Sequence, residues 1–210
     1  MNDAAVTKLA LFGAGSSLGV ALTTELLKRG YEVVALVDDL EGFAVRPGLR
    51  IQLGDPMNAE HVHHGVIGAS AVICLLEPAT HLSGSPAPQV AAAKALLEGL
   101  GQSGIKRLVL VGDVDVHLDV PAPATHAAAL SAAETSAIIV EALRRSPLDW
   151  TLVSNPQGVD GLSIEDFQRS GEAGQTARDQ AIHRLHRVAT GIADELKLNE
   201  HIRQYVNFVV

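Results

Sequence analysis

The stretch that most constrains this chain is a short apolar run, Leu9–Phe12, that leads directly into the small residues of Gly13–Gly19. Leucines then recur at helical spacing, and Gly30 supplies the left-handed stop that commonly follows a helix. A second apolar run, Glu32–Val37, ends at Asp38. This order predicts a strand, a tight turn, a helix and a second strand parallel to the first.

Such a turn has a specific chemistry. Small residues let the backbone approach a phosphate, and the first turn of the helix offers unpaired N–H groups and a positive dipole end. An acidic residue about 20 positions on, at the tip of the second strand, can accept hydrogen bonds from a ribose. We therefore predict a dinucleotide site; the alternative is a plain strand-to-helix turn and an aspartate that merely ends a strand. Its predicted residues are Gly13, Gly15, Ser16, Ser17, Leu18 and Gly19 at the pyrophosphate and Asp38 at the ribose.

The rest of the chain repeats this alternation of short apolar runs and helical patterns, which is typical of a parallel α/β sheet. At 210 residues, with 47% hydrophobic and 3% aromatic residues, the chain predicts one domain, 1–210, with an aliphatic core. Residues 7–153 would form the dinucleotide-binding core and 154–210 a substrate-side segment. The further predicted strands are Arg50–Leu53, Ala71–Leu76, Arg107–Val111, Asp149–Val153 and a terminal Gln204–Val210.

Three more helices are expected: Val90–Leu100 ending near Gly101, one around Ile138–Leu143, and Gln180–Leu196. Proline-rich loops, 77–88 and 113–123, follow the fourth and fifth strands. Because ligands bind beyond the carboxyl ends of parallel strands, these loops should border the site.

Charge and cysteine content exclude several classes. The net charge is −8 and Lys/Arg residues do not cluster, so we expect no nucleic-acid partner. The single Cys74 lies in an apolar run, which predicts a small buried side chain and no internal disulfide. No basic leader and no apolar segment of about 18 residues is present, so we expect a cytoplasmic protein without a membrane partner.

With these elements placed, the chain resembles the atypical short-chain dehydrogenase/reductase superfamily. The resemblance rests on Leu11-Phe12-Gly13-Ala14, on Gly54-Asp55, on Gly104-Ile105-Lys106-Arg107-Leu108-Val109 and on the ending Ile192–Leu196. Within it the chain is most similar to the NAD(P)H-binding group of flavin reductases, biliverdin-IXβ reductase and NmrA-like proteins. This implies a Rossmann-like, doubly wound parallel sheet and an NAD(P)H cofactor. The family pattern G-x-x-G-x-x-G has Ser16 at its middle position here, which should alter the pyrophosphate turn.

The resemblance also bears on cofactor choice. Members that prefer NADPH usually carry an Arg at the end of the second strand, where this chain has Asp38-Asp39. Carboxylates repel a 2′-phosphate, so NAD(H) is favoured over NADP(H). Asp55 resembles the family residue near the adenine, although Gly-Asp is equally a turn sequence. Leu75 and Leu76, at the end of the fourth strand, complete the predicted cofactor-binding set.

The catalytic groups depart from the usual pattern. A Tyr with a Lys four residues later is absent, since neither Tyr31 nor Tyr205 is followed by one. Asp113 stands about where the relatives carry a Ser beside the nicotinamide, and it could act as a general acid or be a solvated loop residue. Ser154, in Ser154-Asn155-Pro156, resembles the family's pocket-shaping Ser-Pro. We predict catalytic roles for Asp113 and Ser154.

The histidines and remaining serines carry weaker signals. No metal site is expected because no cysteine or carboxylate completes a ligand set around them. The absence of a G-x-S-x-G elbow argues against a hydrolase. The residues considered are His61, His63, His64, His183 and His186 for metal, His117 and His126 as loop proton donors, and Ser131, Ser136 and Ser154 as nucleophiles.

Three functions remain open. The first is an NADH-preferring reductase that transfers hydride to a flat small-molecule acceptor such as a flavin, quinone or tetrapyrrole, because alignment matters more there than a strong acid. The second is an NmrA-like nucleotide sensor without turnover. The third is a non-redox enzyme of secondary metabolism with Asp113 or a loop histidine as acid or base. A homodimer is left open.

Overall fold

A computed structural model describes residues 7–40, 43, 46–76, 87–112, 114, 132–156 and 177–208. One parallel sheet of seven strands runs through them in the order β3-β2-β1-β4-β5-β6-β7. The strands are β1 Lys8–Phe12, β2 Glu32–Val37, β3 Leu49–Leu53, β4 Ala71–Leu75, β5 Arg107–Gly112, β6 Asp149–Ser154 and β7 Gln204–Val206. The helices are α1 Ser17–Lys28, α2 Ala59–Gly65, α3 Ala87–Ser103, α4 Ala132–Arg145 and α5 Ala177–Leu198. The predicted doubly wound α/β class is confirmed, with seven strands where at least six were expected.

Alternation along the strands builds two apolar layers. In β1, Leu9 and Leu11 pack with the buried leucines of α1 and with α5, whereas Ala10 and Phe12 pack with α2, α3 and α4 on the opposite face. Successive side chains of a strand point to opposite faces, so a sheet covered on both faces needs apolar residues throughout. This explains why β1, β2, β4 and β5 are almost continuously apolar.

The helix boundaries mostly follow local signals. Helix α1 ends at Lys28, and Gly30 adopts the predicted left-handed conformation with φ +80°. Helix α3 ends at Ser103, two residues beyond the predicted end near Gly101, and Gly104 takes the positive φ of +76°. Gly99 instead serves packing, since a Cβ there would lie 2.7 Å from the Ala59 carbonyl oxygen of α2.

The terminal strand is shorter than predicted, since β7 stops at Val206. Phe208 leaves the sheet and packs on α5, where a Cβ added to Gly191 would lie 2.8 Å from its ring. The last two residues lie outside the described part of the chain. Here a tertiary contact, rather than strand propensity, ends the strand.

A buried charged network ties α5 to the amino ends of β5 and β6. Arg107 donates to Glu195 at 2.7 Å and to Thr151 at 2.9 Å, and the His201 amide and imidazole lie 3.0 and 2.6 Å from the same carboxylate. Burial alone would raise the pKa of Glu195, but the hydrogen bonds from His201 and the charge of Arg107 hold it below its usual value. Burial lowers the pKa of Arg107. This network lies near the amino ends of the strands, at the opposite end of the sheet from their carboxyl ends.

Candidate functional site

The cleft that concerns the predicted site lies where the strand order reverses. Strand β1 is flanked by β2 on one side and β4 on the other, and a cavity of about 240 Å³ opens beyond their carboxyl ends. A reversal of this kind is where open α/β sheets bind ligands. The cleft is lined by Phe12, Gly13, Ala14, Gly15, Leu36, Val37, Asp38, Phe43, Asp55, Pro56, Met57, Cys74, Leu75, Leu76, Pro88, Gln89 and Ala92.

Two glycines make the turn between β1 and α1 sterically possible. Gly13 has φ +79°, and a Cβ on it would lie 2.9 Å from the Leu75 Cβ. A Cβ on Gly19 would lie 2.2 Å from the Gly13 carbonyl oxygen, so the first turn of α1 can approach β1 only without a side chain there. Gly13 lines the cleft, whereas Gly19 is buried beneath the turn.

Ser16 is the N-cap of α1. Its φ of −72° and ψ of 160° are those of a cap, its hydroxyl accepts from the Gly19 amide at 3.1 Å, and it donates to the Gly13 carbonyl at 2.9 Å. Ser17 is half-buried and Leu18 is buried. Ser16, Ser17, Leu18 and Gly19 therefore begin the helix below the cleft and are not among the residues that line it.

Gly15 is the glycine that faces the open cleft. It is exposed, its φ lies outside the left-handed region, and among the described residues the one heavy atom within 4 Å of an added Cβ is Phe43 Cζ at 3.7 Å. This position has no side chain, although the described residues leave room for one. The exposed backbone at Gly15 thus fits a group, such as a pyrophosphate, that must approach the backbone closely.

Two carboxylates reach the same cleft from different strands. Asp38 follows β2 and is exposed at the cleft wall. Asp55 follows β3, and its Oδ1 accepts from the Met57 amide at 2.8 Å. Asp55 therefore holds its own turn, as Gly-Asp commonly does, and it also lines the cleft; its place near an adenine stays a prediction.

The floor of the cleft is apolar. Cys74, Leu75 and Leu76 are buried at the end of β4, and the Leu76 amide extends the sheet by donating to Val111 at 2.8 Å. Burial raises the pKa of the Cys74 thiol to about 12, so this side chain stays neutral at physiological pH. The expected buried, unpaired cysteine is thus found against the cleft, and it contributes no charge to it.

Of the two predicted catalytic residues, the structure describes Ser154 but not Asp113. Ser154 ends β6 opposite Gly112, two strands from β4, and its hydroxyl accepts from Tyr205 at 3.0 Å. With strands about 4.8 Å apart, Ser154 lies on the order of 10 Å from the end of β4. It is at the same carboxyl ends of the strands as the cleft, but it is not among the residues that line the cleft. Asp113 lies outside the described residues, as do His117, His126 and Ser131.

The described histidines do not assemble a ligand set. Within the ranges that the structure describes, no three His, Cys, Asp or Glu side chains come together as metal ligands. His61 and His64 are exposed on α2, His183 is exposed on α5, and Ser136 is buried in α4. Among the same residues, no helix is long and apolar enough to cross a membrane.

Several cleft residues were not anticipated from the sequence. Phe43 comes from the connection after β2, Met57 from the turn after β3, and Gln89 from the first turn of α3. Pro88, by contrast, belongs to the stretch 77–88 that was predicted to border the site, and it does line the cleft. Residues 77–86 of the predicted loop lie outside the described part, but Pro88 belongs to a helix. Only the rule that ligands sit beyond the carboxyl ends of strands could have indicated these positions.

Comparisons with known proteins agree with this geometry. Residues 13–198 match the model of a family described as NAD(P)H-binding. A Rossmann-fold NAD(P)-binding family protein from Shigella flexneri is 14% identical with a TM-score of 0.64, covering 96% of this chain and 92% of that one. An oxidoreductase from Lactococcus lactis is 15% identical, with a TM-score of 0.63 and coverage of 96% and 90%. A short-chain dehydrogenase/reductase from Veillonella parvula, in complex with NADP, is 15% identical, with a TM-score of 0.61 and coverage of 96% and 93%. At these identities the likeness shows a shared fold.

Proposed function

The chain belongs to the NAD(P)H-binding family, as its resemblance to the atypical short-chain dehydrogenases implied, and we propose that it is an oxidoreductase that prefers NADH. It would transfer a hydride to a flat acceptor such as a flavin, a quinone or a tetrapyrrole. The observation that carries the cofactor half of this proposal is Asp38, whose carboxylate lines the cleft beside the open Gly15 backbone.

Charge favours NADH over NADPH at this position. The Asp38 carboxylate can accept hydrogen bonds from both ribose hydroxyls. At a separation of about 4 Å in water, a pair of unit like charges costs about 1 kcal/mol, so a dianionic 2′-phosphate beside Asp38 would cost roughly 2 kcal/mol. That energy corresponds to roughly a 30-fold weaker affinity for NADPH at low salt.

The acceptor half rests on what hydride transfer needs. A bound nicotinamide supplies the hydride, and the protein supplies alignment and a site from which water is excluded. The neutral floor of Cys74, Leu75 and Leu76 suits a flat, apolar ring. We assign Ser154 to the acceptor side because it ends β6 at the carboxyl ends of the strands, two strands from that floor. Asp113, which follows β5 in the sequence, is proposed for the same side. The lack of a Tyr-x-x-x-Lys pair is tolerable for an acceptor that needs no strong acid.

A nucleotide sensor without turnover is the second candidate. It is favoured by one observation, that the Ser154 hydroxyl is engaged by Tyr205 and lies outside the cleft lining. A protein that has a cofactor site but few catalytic side chains on the acceptor side would bind a dinucleotide and report its redox state to a partner.

Titration calorimetry with NADH and NADPH at one ionic strength tests the cofactor half. NADH binding at least tenfold tighter than NADPH supports the proposal, and equal affinities contradict the role of Asp38. Following the absorbance of NADH in the presence of flavin and quinone acceptors then separates the two candidates. Turnover supports the reductase, whereas tight binding with stable absorbance across the panel supports the sensor.

A further inference from the structure

The turn after β3 forms one wall of the cleft and is held by three hydrogen bonds. Asp55, Pro56 and Met57 line the cleft. The Met57 amide donates to Asp55 Oδ1 at 2.8 Å, the Asn58 amide donates to the Asp55 carbonyl at 3.1 Å, and the Asp55 amide donates to His61 Nδ1 at 3.1 Å. The second bond joins the turn to Asn58, the cap of α2, and the imidazole adds a side-chain acceptor from within α2 for the Asp55 amide.

His61 is itself fixed by the start of α2. Asn58 caps the helix, and its Oδ1 accepts from the amides of Glu60 at 2.9 Å and His61 at 3.2 Å. A backbone amide can only donate, so Nδ1 of His61 must be unprotonated and the ring proton lies on Nε2. An imidazolium carries a proton on both nitrogens, so a protonated His61 cannot make this bond.

We propose that His61 is a positioning residue that holds the Asp55 wall against the adenosine half of the dinucleotide and makes its affinity depend on pH. The inference rests on the proposed cofactor site, since it concerns the same cleft. When His61 is neutral, the Asp55 amide has its acceptor and the wall is held. When His61 is protonated, the bond is lost and the turn can leave the position that lines the cleft.

Other ionisable groups on the elements around His61 influence the pH at which this change occurs. They are Asp55 in the turn, Glu60, His63 and His64 on α2, Lys94 and Glu98 on α3, and Glu32 and Asp38 on and after β2. All of them are present in the wild type and in both His61 variants below, so their own titration is shared when these three proteins are compared at two pH values. The control His64→Asn lacks only His64 from this set.

Two substitutions separate the hydrogen bond from packing. His61→Asn places an amide oxygen where Nδ1 stands, so it keeps an acceptor that does not titrate. His61→Leu removes the acceptor at similar bulk. His64→Asn is the matched control, because His64 is also an exposed histidine of α2 and makes no contact with the turn among the bonds described.

The probe is ADP-ribose, which carries the adenosine and the pyrophosphate and is stable in acid, titrated calorimetrically at pH 8.0 and pH 5.5. At pH 8.0 we expect His61→Asn and His64→Asn to bind like the wild type, and His61→Leu to bind about threefold to tenfold more weakly, which is the worth of one hydrogen bond. At pH 5.5 the wild type and His64→Asn should bind more weakly than they do at pH 8.0, while His61→Asn keeps its affinity. Equal affinity of His61→Leu and the wild type at pH 8.0, or the same acid loss in His61→Asn, would overturn the proposal.

Hydrogen exchange of the Asp55 amide, measured by NMR without any ligand, separates this inference from the proposed function. Protection in the wild type and His61→Asn at pH 8.0, together with its loss in His61→Leu, supports the role of His61 in the wall. Equal protection in all three contradicts it. If no form of the protein binds ADP-ribose or NADH, the proposed function fails, while the exchange result still decides whether His61 holds the turn.

Discussion

Gly15→Ala should raise the stability of the protein and lower its affinity for the dinucleotide. Gly15 is exposed on the cleft wall, and its φ is one that an alanine adopts without strain. Among the residues that the structure describes, the nearest heavy atom to the added methyl is Phe43 Cζ at 3.7 Å, an ordinary van der Waals distance. This part of the chain therefore has room for the methyl, and a ligand on that wall would meet it.

The two effects have opposite signs and can be estimated. Replacing a glycine by alanine in a compatible conformation stabilises by about 0.4–1 kcal/mol through the unfolded chain, which raises Tm by about 1–4 °C in a domain of this size. A methyl between backbone and pyrophosphate should remove about one hydrogen bond to a charged group, about 1.5–3 kcal/mol. That loss is at least about tenfold in Kd.

Thermal melts and calorimetric titration with NADH measure both quantities, and Gly101→Ala is the matched control. Gly101 is exposed inside α3 with nothing within 4 Å of an added Cβ, so alanine should stabilise by about 1 kcal/mol and leave NADH affinity unchanged. If Gly15→Ala were as stable as predicted but bound NADH as tightly as the wild type, the pyrophosphate would not lie against Gly15 and the geometric argument would be refuted.

Three further outcomes are expected. Asp38→Arg should reverse the cofactor preference, so that NADPH binds more tightly than NADH in paired titrations; an unchanged ratio contradicts the assignment. Glu195→Gln should cost about 3 kcal/mol in urea unfolding, because it removes the carboxylate paired with the half-buried Arg107. The pKa of Glu195 is held below its ordinary 4.5, so the stability that rests on this carboxylate is fully present above pH 4.5 and is lost as the pH falls through the lowered value; the glutamine variant should lack that acid dependence. Ser154→Ala should keep NADH affinity within about twofold of the wild type, as substitutions away from a site usually do, and a larger loss would place the serine against the cofactor.

The fold could be predicted because its signals are local. Most strands are apolar runs, and α1 has both an apolar stripe and a glycine stop at Gly30. The differences arose at element ends. Gly101 predicts a helix end in the sequence, yet α3 continues to Ser103, and Gly99 lies inside it where α2 approaches too closely for a Cβ. Likewise β7 ends early because Phe208 packs on Gly191.

The candidate site likewise contains residues that a local motif predicts and residues that it does not. Gly13, Gly15 and Asp38 belong to one contiguous motif, and the structure brings them into one cleft with Asp55, Leu75 and Leu76. Phe43 and Gln89 line the same cleft, but their place depends on how distant segments meet, which no local pattern encodes. The acceptor side depends on connections after β4, β5 and β6, where loops carry specificity and local patterns are weakest.

Ser16 shows how a departure from a motif can keep its geometry. A serine in place of the middle glycine predicts an altered turn, yet its backbone is extended, as any residue before a helix can be. Its hydroxyl joins the Gly19 amide to the Gly13 carbonyl, so it takes the third amide of the helix, one of those that a phosphate would otherwise use. The turn thereby gains a cap typically worth about 1 kcal/mol at the expense of one donor. Because the Gly15 backbone still faces the cleft, the pyrophosphate would depend more on that backbone than in a chain with glycine at position 16, and this is why Gly15→Ala is the most sensitive test of the site.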